Sequence, residues 1–469
     1  MFSHHEFRKY AHEMVDWIAD YLEKIEEFPV KPTVEPGALR RTLPLRAPDQ
    51  GEPMSVIWAD FKELIPPGLM HWQHPGFMAL FPSNSSYPSI LGEFLAAGVG
   101  INAMMWDTSP AATELEEQVM EWLRAATGLP EGWKGVIQDT ASSSTLTAIL
   151  SARERCTGFR INTHGFSSEA QPVLYCSEHT HYSIEKGAKA AGFGLDNVVK
   201  IPADASYALQ PEALEKRIQQ DIAAHKKPCI AVATLGTTGT LAFDPLRAIG
   251  EICRRYNIWL HVDAAYAGSA FLLPEYRNLL DGIELADSYV FNAHKWMLTN
   301  FDCSCYYVKD TQTLINTFSS NPDYLKRTVD TVSNFKDWGL PLGRRFRALK
   351  LWFVLRSYGI QGLQSLLRDH ITWSAQFRDQ LLADTRWQVM APPQMNMLCV
   401  RFVPEAGLST AALNTLNEQI LQRINADGKF YLSGTRVNGH FIIRIVPAHT
   451  RLTPEHLDAL LETFHRAIH

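Results

Sequence analysis

Apolar positions in the first 25 residues recur at spacings of three, four and seven: Phe7, Tyr10, Met14, Ile18, Tyr21, Leu22 and Ile25. Glu13, Asp16, Asp20 and Glu23 fall between them, so the pattern predicts an amphipathic helix. A helix at the chain's start must bury that stripe somewhere, and a partner subunit is as good a home as its own chain. Residues 29–53 carry Pro29, Pro32, Pro36, Pro44, Pro48 and Pro53, which forbid a continuous helix and predict an extended crossing segment.

From about residue 86 to residue 310 the pattern changes to short apolar runs alternating with helical stretches. Residues 173–176, 230–234, 259–262 and 289–292 read as strands, with helices between them such as 211–224 and 245–256. Runs apolar on both faces belong to strands covered on both sides, so an α/β domain with a largely parallel sheet is expected. Residues 318–340 have Pro322, several charges and no period, and read as a long loop of the kind that forms lids. Beyond it, a helix over 347–358 and strands near 397–402 and 441–446 predict a smaller C-terminal α+β domain. The expected regions are therefore 1–85, 86–349 with a lid at about 318–335, and 350–469.

Composition narrows the picture. A chain of 469 residues with 46% hydrophobic residues can bury a large core across two or three domains. Its 44 Lys and Arg against 50 Asp and Glu give a net charge of −6, with no basic footprint for nucleic acid or a membrane surface. No apolar run is long enough to span a bilayer, and charges interrupt any signal-peptide core. The seven cysteines contain no CxxC pair, so neither a disulfide framework nor a structural zinc is expected. These features predict a cytoplasmic enzyme.

Ligands of parallel sheets bind beyond the carboxyl ends of the strands, which makes the residue after each strand informative. The run Trp259-Leu260-His261-Val262 delivers Asp263, followed by the small residues Ala264 and Ala265. The next, Tyr289-Val290-Phe291-Asn292, delivers Ala293, His294 and Lys295. Lysine is rarely buried without a partner, and a desolvated lysine has the lowered pKa that Schiff-base chemistry uses. A Schiff-base lysine and a carboxylate for a pyridine nitrogen are the two parts pyridoxal phosphate needs.

A phosphate anchor has a candidate in Asp139-Thr140-Ala141-Ser142-Ser143-Ser144, which leads into a helix over 145–155; ordinary N-capping is the plainer use of those hydroxyls. Thr234-Leu235-Gly236-Thr237-Thr238-Gly239-Thr240 follows another strand and could supply hydroxyls near the cofactor ring, Thr238 among them, or simply form a Thr-rich turn. In Ser177-Glu178-His179-Thr180-His181, no third ligand accompanies the two histidines, so metal binding is not expected. An imidazole stacked on a cofactor ring suits His181 better.

With these residues the chain resembles the group II pyridoxal-phosphate decarboxylases, in the aromatic-L-amino-acid decarboxylase branch, over nearly its whole length. The resemblance runs through His74-Pro75 and Phe81-Pro82-Ser83, then Ser109-Pro110-Ala111-Ala112-Thr113-Glu114. It continues in His261-Val262-Asp263-Ala264-Ala265-Tyr266, Asn292-Ala293-His294-Lys295-Trp296 and Pro341-Leu342-Gly343-Arg344-Arg345. It implies a type I fold and a homodimer with active sites at the subunit interface, the N-terminal helices packing on the partner. Lys295 would be the Schiff-base lysine and Asp263 the pyridinium partner. Ala265 and His181 would flank the ring. Thr140, Ala141, Ser142 and His294 would surround the phosphate and Schiff base, with Asn292 helping to hold the phosphate.

The same resemblance assigns proton return at the substrate carbon to a lid tyrosine, here Tyr324, assisted by His181. Aldehyde-forming relatives commonly carry Phe or Asn at those two places, so both residues favour simple decarboxylation. Trp72, Leu80, Phe81, Pro82, Ser83, Asn102, Met104 and Gly343 would line the side-chain pocket, which suits an aromatic ring. Histidine-decarboxylating relatives have Ser where Gly343 stands. Leu80, Asn102 and Met104 depart from the Tyr, Ile and Phe of animal relatives, and the softer pocket is expected to accept bulky rings, indoles included. An aldehyde synthase or aminotransferase using the same cofactor, a histidine decarboxylase, or a cofactor-free binding or regulatory homologue are the alternatives; a yellow colour on purification excludes the last.

Overall fold

The computed structural model describes residues 2–166, 171–319, 332–404 and 407–469. Tyr324 and most of the expected lid lie outside these described residues. The chain divides into two compact units, one of Met1–Pro82, Phe377–Gln388 and Arg401–His469, the other of Ser83–Gln376 and Val389–Val400.

The larger unit is built on a seven-stranded sheet of β1 (Lys134–Gln138), β2 (Pro172–Ser177), β3 (Val198–Ile201), β4 (Lys227–Thr234), β5 (Trp259–Asp263), β6 (Ser288–Asn292) and β7 (Ser304–Val308). Their order is β1-β7-β6-β5-β4-β2-β3. Pairings from β3 across to β6 are parallel, and β7 runs antiparallel to both its neighbours. The mostly parallel α/β sheet expected from the apolar runs is what is found. Strands β2, β5, β6 and β7 are buried at every position, as sheets covered on both faces require. The helices Ala141–Thr157 and Ser183–Ala190 pack Ala148, Ile149, Ile184 and Ala188 against Leu174, Ile230 and Val232.

The first of these helices begins at Ala141, four residues before the expected start, because Thr140 already holds the extended backbone of an N-cap. The run 29–53 is extended as expected except for the short helix Ala38–Thr42, which fits between Pro36 and Pro44. The helix Arg347–Leu381 breaks at Gly359, whose φ of 62° and ψ of 171° only glycine adopts without strain.

In the smaller unit, the helix His4–Glu23 carries the predicted stripe and opens with a capping box. Ser3 Oγ accepts from Glu6 N–H at 3.2 Å, while Glu6 accepts from Ser3 N–H at 2.9 Å. Trp17 packs edge-on against Trp58 and Phe61 of the helix Met54–Leu64. Phe7, Val15 and Ile57 stay exposed. The C-terminal sheet contains β8 (Trp387–Val389), β9 (Leu398–Phe402), β10 (Ser433–Val437) and β11 (His440–Ile445), in the order β10-β11-β9-β8. Among the described residues, no helix is long and apolar enough to cross a membrane.

Candidate active site

Sheet register brings the predicted residues to one end of the larger unit. Asp263 ends β5, and Thr234, which ends β4, is its registered partner. Beyond the ladder, Ala264 N–H donates to Val290 O and Asn292 N–H to Ala265 O, both at 2.9 Å, so residues 263–265 are laced to the end of β6. On the other side, Ser304 of β7 faces both Asn292 and Gln138, the last residue of β1. That alignment sets Thr140 and the first turn of its helix at the same end of the sheet as Asn292. Gly268 permits the close approach, since a Cβ there would lie 2.3 Å from that of Phe291.

Asp263 is buried, and its Oδ1 accepts from Ala265 N–H at 3.0 Å. Lys295 follows β6 in the one-turn helix Ala293–Trp296. It keeps some solvent access, yet the protein around its ammonium pushes the pKa down to about 8, with Asp263 opposing that shift. Asn84 anchors this turn, its N–H donating to His294 O at 3.0 Å and its Nδ2 to Lys295 O at 2.8 Å. Burial, helped by the Lys295 charge, pushes the His294 imidazole down to about 3. Its Nδ1 accepts from Cys303 N–H at 2.9 Å.

His181 lies in the loop after β2. Burial is the main force lowering its pKa; Lys295 pushes the same way and Asp263 the other, so the three groups share one electrostatic environment. Its Nδ1 is 2.8 Å from Ser183 Oγ and accepts from Ser183 N–H at 3.3 Å, which puts the neutral ring's proton on Nε2.

The hydroxyl of Thr140 makes no capping bond to its helix, so the plainer reading of that residue as a side-chain cap does not hold. The first-turn N–H groups, Ala141 and Ser142 among them, have no carbonyl four residues back in the helix to bond, which makes an anion cradle. Thr238 sits half-buried in the turn after β4, whose internal bonds run through Thr237, with Thr237 and Thr240 hydroxyls 3.1 Å apart.

The expected substrate residues fall in both units. In the smaller, Trp72 stacks on Phe77 with centroids 4.3 Å apart. Leu80 is exposed at a left-handed φ of 55°, and Phe81 and Pro82 are buried. In the larger, Ser83 is half-buried. Asn102, Met104 and Gly343 form one cluster: Asn102 Nδ2 lies 3.3 Å from Met104 Sδ, and a Cβ on Gly343 would meet only Asn102, at 3.7 Å. Arg344 holds this cluster, donating from its backbone to Asn102 Oδ1 at 2.9 Å and from its guanidinium to Ala103 O at 3.1 Å and Glu116 Oε1 at 2.6 Å.

Sequence reasoning missed Asn84, Ser183 and the buried Thr180 hydroxyl, while the run that begins at Thr234 was expected to supply hydroxyls here. The Thr180 and Thr234 hydroxyls and Asn292 Oδ1 are enclosed at this end of the sheet without a hydrogen-bond partner. Asn84 sits in a loop with no periodic signal. Orphaned buried polar atoms beside a lowered lysine, a buried carboxylate and an anion cradle are what a polar, phosphorylated cofactor would satisfy. The residues present therefore fit pyridoxal phosphate.

Comparison with known proteins points the same way. Tyrosine decarboxylase 2 of Narcissus pseudonarcissus is 42% identical over 470 residues, covering 98% of this chain and 93% of the relative. Phenylacetaldehyde synthase of Arabidopsis thaliana is 42% identical, covering 94% of this chain and 91% of its own. The crystal structure of Oryza sativa TDC with PLP and tryptamine superposes with a TM-score of 0.96 at 34% identity, covering 100% and 98% of the two chains. Residues 36–403 match the family described as the pyridoxal-dependent decarboxylase conserved domain. The chain belongs to the pyridoxal-dependent decarboxylase family, whose cofactor is pyridoxal phosphate.

Proposed function

We propose that the protein converts aromatic L-amino acids, such as DOPA, 5-hydroxytryptophan, tryptophan, tyrosine or phenylalanine, to arylalkylamines and CO2, as a cytoplasmic homodimer. The observation that carries the reading is Lys295, with its lowered pKa, in one electrostatic environment with Asp263 and His181. When bound, pyridoxal phosphate supplies a protonated ring that takes up the electron pair left by departing CO2.

Lys295 would hold the cofactor covalently, and the buried Asp263 carboxylate would keep the ring nitrogen protonated. Thr140, Ala141, Ser142 and Asn292 would hold the phosphate, with His294 and Thr238 beside it. Ala265 leaves room for a flat ring on one side, and His181 would cover the other, with Nε2–H free to face the substrate carboxylate. Tyr324 is the proposed proton donor to the substrate carbon. The open space beside Gly343, next to Asn102 and Met104, supports an aromatic side chain, and Trp72, Leu80, Phe81, Pro82 and Ser83 are proposed as further substrate-contacting residues.

A dimer is supported by two sets of exposed apolar side chains: Phe7 and Val15 on the first helix, and Tyr87, Leu91, Leu95 and Val99 on the helix Tyr87–Val99. The organisation proposed with it is an arm over 1–85, a cofactor domain over 86–349 with its lid, and a small domain over 350–469.

Aldehyde formation is the second reading, favoured by the likeness to a phenylacetaldehyde synthase and opposed by Tyr324 and His181. Following CO2, amine, aldehyde, ammonia and peroxide together over a panel of aromatic amino acids, histidine and glutamate decides between them. Amine in a one-to-one ratio with CO2, from aromatic substrates only, is the expected result. Aldehyde with ammonia and peroxide would replace it with the second reading.

A further inference from the structure

The turn that carries Lys295 is only four residues long, Ala293–Trp296. A helix this short does not hold itself, since nucleation costs more than its few internal bonds return. Its position must come from outside, and the side chain next to Lys295 shows how. Trp296 is fully buried and lies flat on Tyr266, with ring centroids 5.1 Å apart and planes 1° from parallel. On the helix Arg347–Leu381, His370 lies nearly parallel to Trp296 at 6.4 Å and 9°. Trp296 Nε1–H donates to His370 Nδ1 at 3.0 Å. Tryptophan can only donate, so His370 Nδ1 is the acceptor there.

The other side of the stack is also fixed. Tyr266 and Asn396 bond each other, the amide Nδ2 to the hydroxyl at 2.7 Å and the hydroxyl to Oδ1 at 3.0 Å. Ser374 Oγ donates to His370 O at 2.6 Å, one turn away on the same helix. Tyr266 is three residues after Asp263, and Trp296 is one residue after Lys295. The stack therefore joins the backbone that carries the carboxylate to the backbone that carries the amine, and ties both to a helix outside the site.

We infer that Trp296 and His370 are positioning residues for Lys295, setting through the Trp296–His370 hydrogen bond and the Tyr266 stack where its amine stands relative to Asp263. This inference rests on Lys295 being the cofactor lysine. Neither residue touches substrate; an error in their placement would tilt the cofactor and slow the chemical step while leaving substrate binding intact.

The test compares His370→Leu, which removes the acceptor, with His370→Gln, which can restore one, in the holoenzyme. For His370→Leu we expect pyridoxal phosphate release to be at least about fivefold faster, the scale of one lost buried hydrogen bond. kcat should fall with KM unchanged, and His370→Gln should bring both back toward wild type. Trp296→Phe keeps a ring for stacking but has no N–H, and it should show the same faster release and lower kcat, so it serves as the test where His370→Leu does not fold. Unchanged release and kcat in His370→Leu or Trp296→Phe, with only a lower Tm, would overturn the inference and leave the pair a packing contact. Peptide mapping of the wild-type cofactor lysine keeps the two ideas apart. A label away from Lys295 refutes the reading beneath, whereas a label on Lys295 with unchanged release refutes this inference alone.

Discussion

At the residue scale, burial and the Asp263 carboxylate pull the proton affinity of Lys295 in opposite directions, and burial wins. The folded chain gives up that proton near pH 8, whereas an unfolded chain keeps it to about 10.4. Between those values the unfolded state binds more protons, so this residue's contribution to stability rises with pH through that window. Below it, the folded cofactor-free protein carries the full cost of an enclosed ammonium. Lys295→Met should therefore raise the Tm of the cofactor-free protein at pH 7, and the gain should shrink as the pH passes from about 8 toward 10.4. A gain that stays constant across that range would mean that packing, not charge, distinguishes the two side chains. Lys295 and Asp263 were legible in the sequence because each follows an apolar strand. Ser183 and Asn84 were not, since their roles depend on where a hydroxyl and an amide point.

At the element scale, the helix Ala141–Thr157 serves the site through its first turn. Thr140 caps with backbone alone, and Ala141 offers no side chain to compete with an anion for the first-turn N–H groups. An acidic residue in a first turn normally stabilises a helix by roughly 0.3–1 kcal/mol, through the positive end of its dipole. Ala141→Asp should thus leave the Tm of the cofactor-free protein unchanged or raised. The same carboxylate would stand against a bound phosphate, and pyridoxal phosphate affinity should fall at least about tenfold, as expected for two like charges near a protein surface. Titration of the cofactor-free variant by absorbance checks this, and undiminished affinity would move the phosphate away from that turn. Sequence patterning located this helix but began it at residue 145, since a run of hydroxyl residues reads as a cap or turn and hides that Ala141 is already helical.

At the scale of the whole molecule, the apolar runs announced β2, β4, β5 and β6, which are buried along all or most of their length, but not the equally buried β7. β1, β3, β8 and β10 were harder to read, because their burial is partial and their patterns mix polar with apolar positions. Nor does any local pattern say that β7 runs against its neighbours, although that reversal aligns Gln138, Ser304 and Asn292. Lys295 is proposed to hold the cofactor, yet the chain has a second enclosed lysine with a similarly lowered pKa. Burial pushes Lys350 down to about 8 as well, but it lies in the helix Arg347–Leu381 and pairs with Glu93 at 2.8 Å, whereas Lys295 directly follows β6. Borohydride reduction makes the cofactor's link to an amine permanent, and peptide mapping then identifies the lysine. One pyridoxyl group per chain on Lys295 is the predicted result; a label on Lys350, or none, would contradict the account.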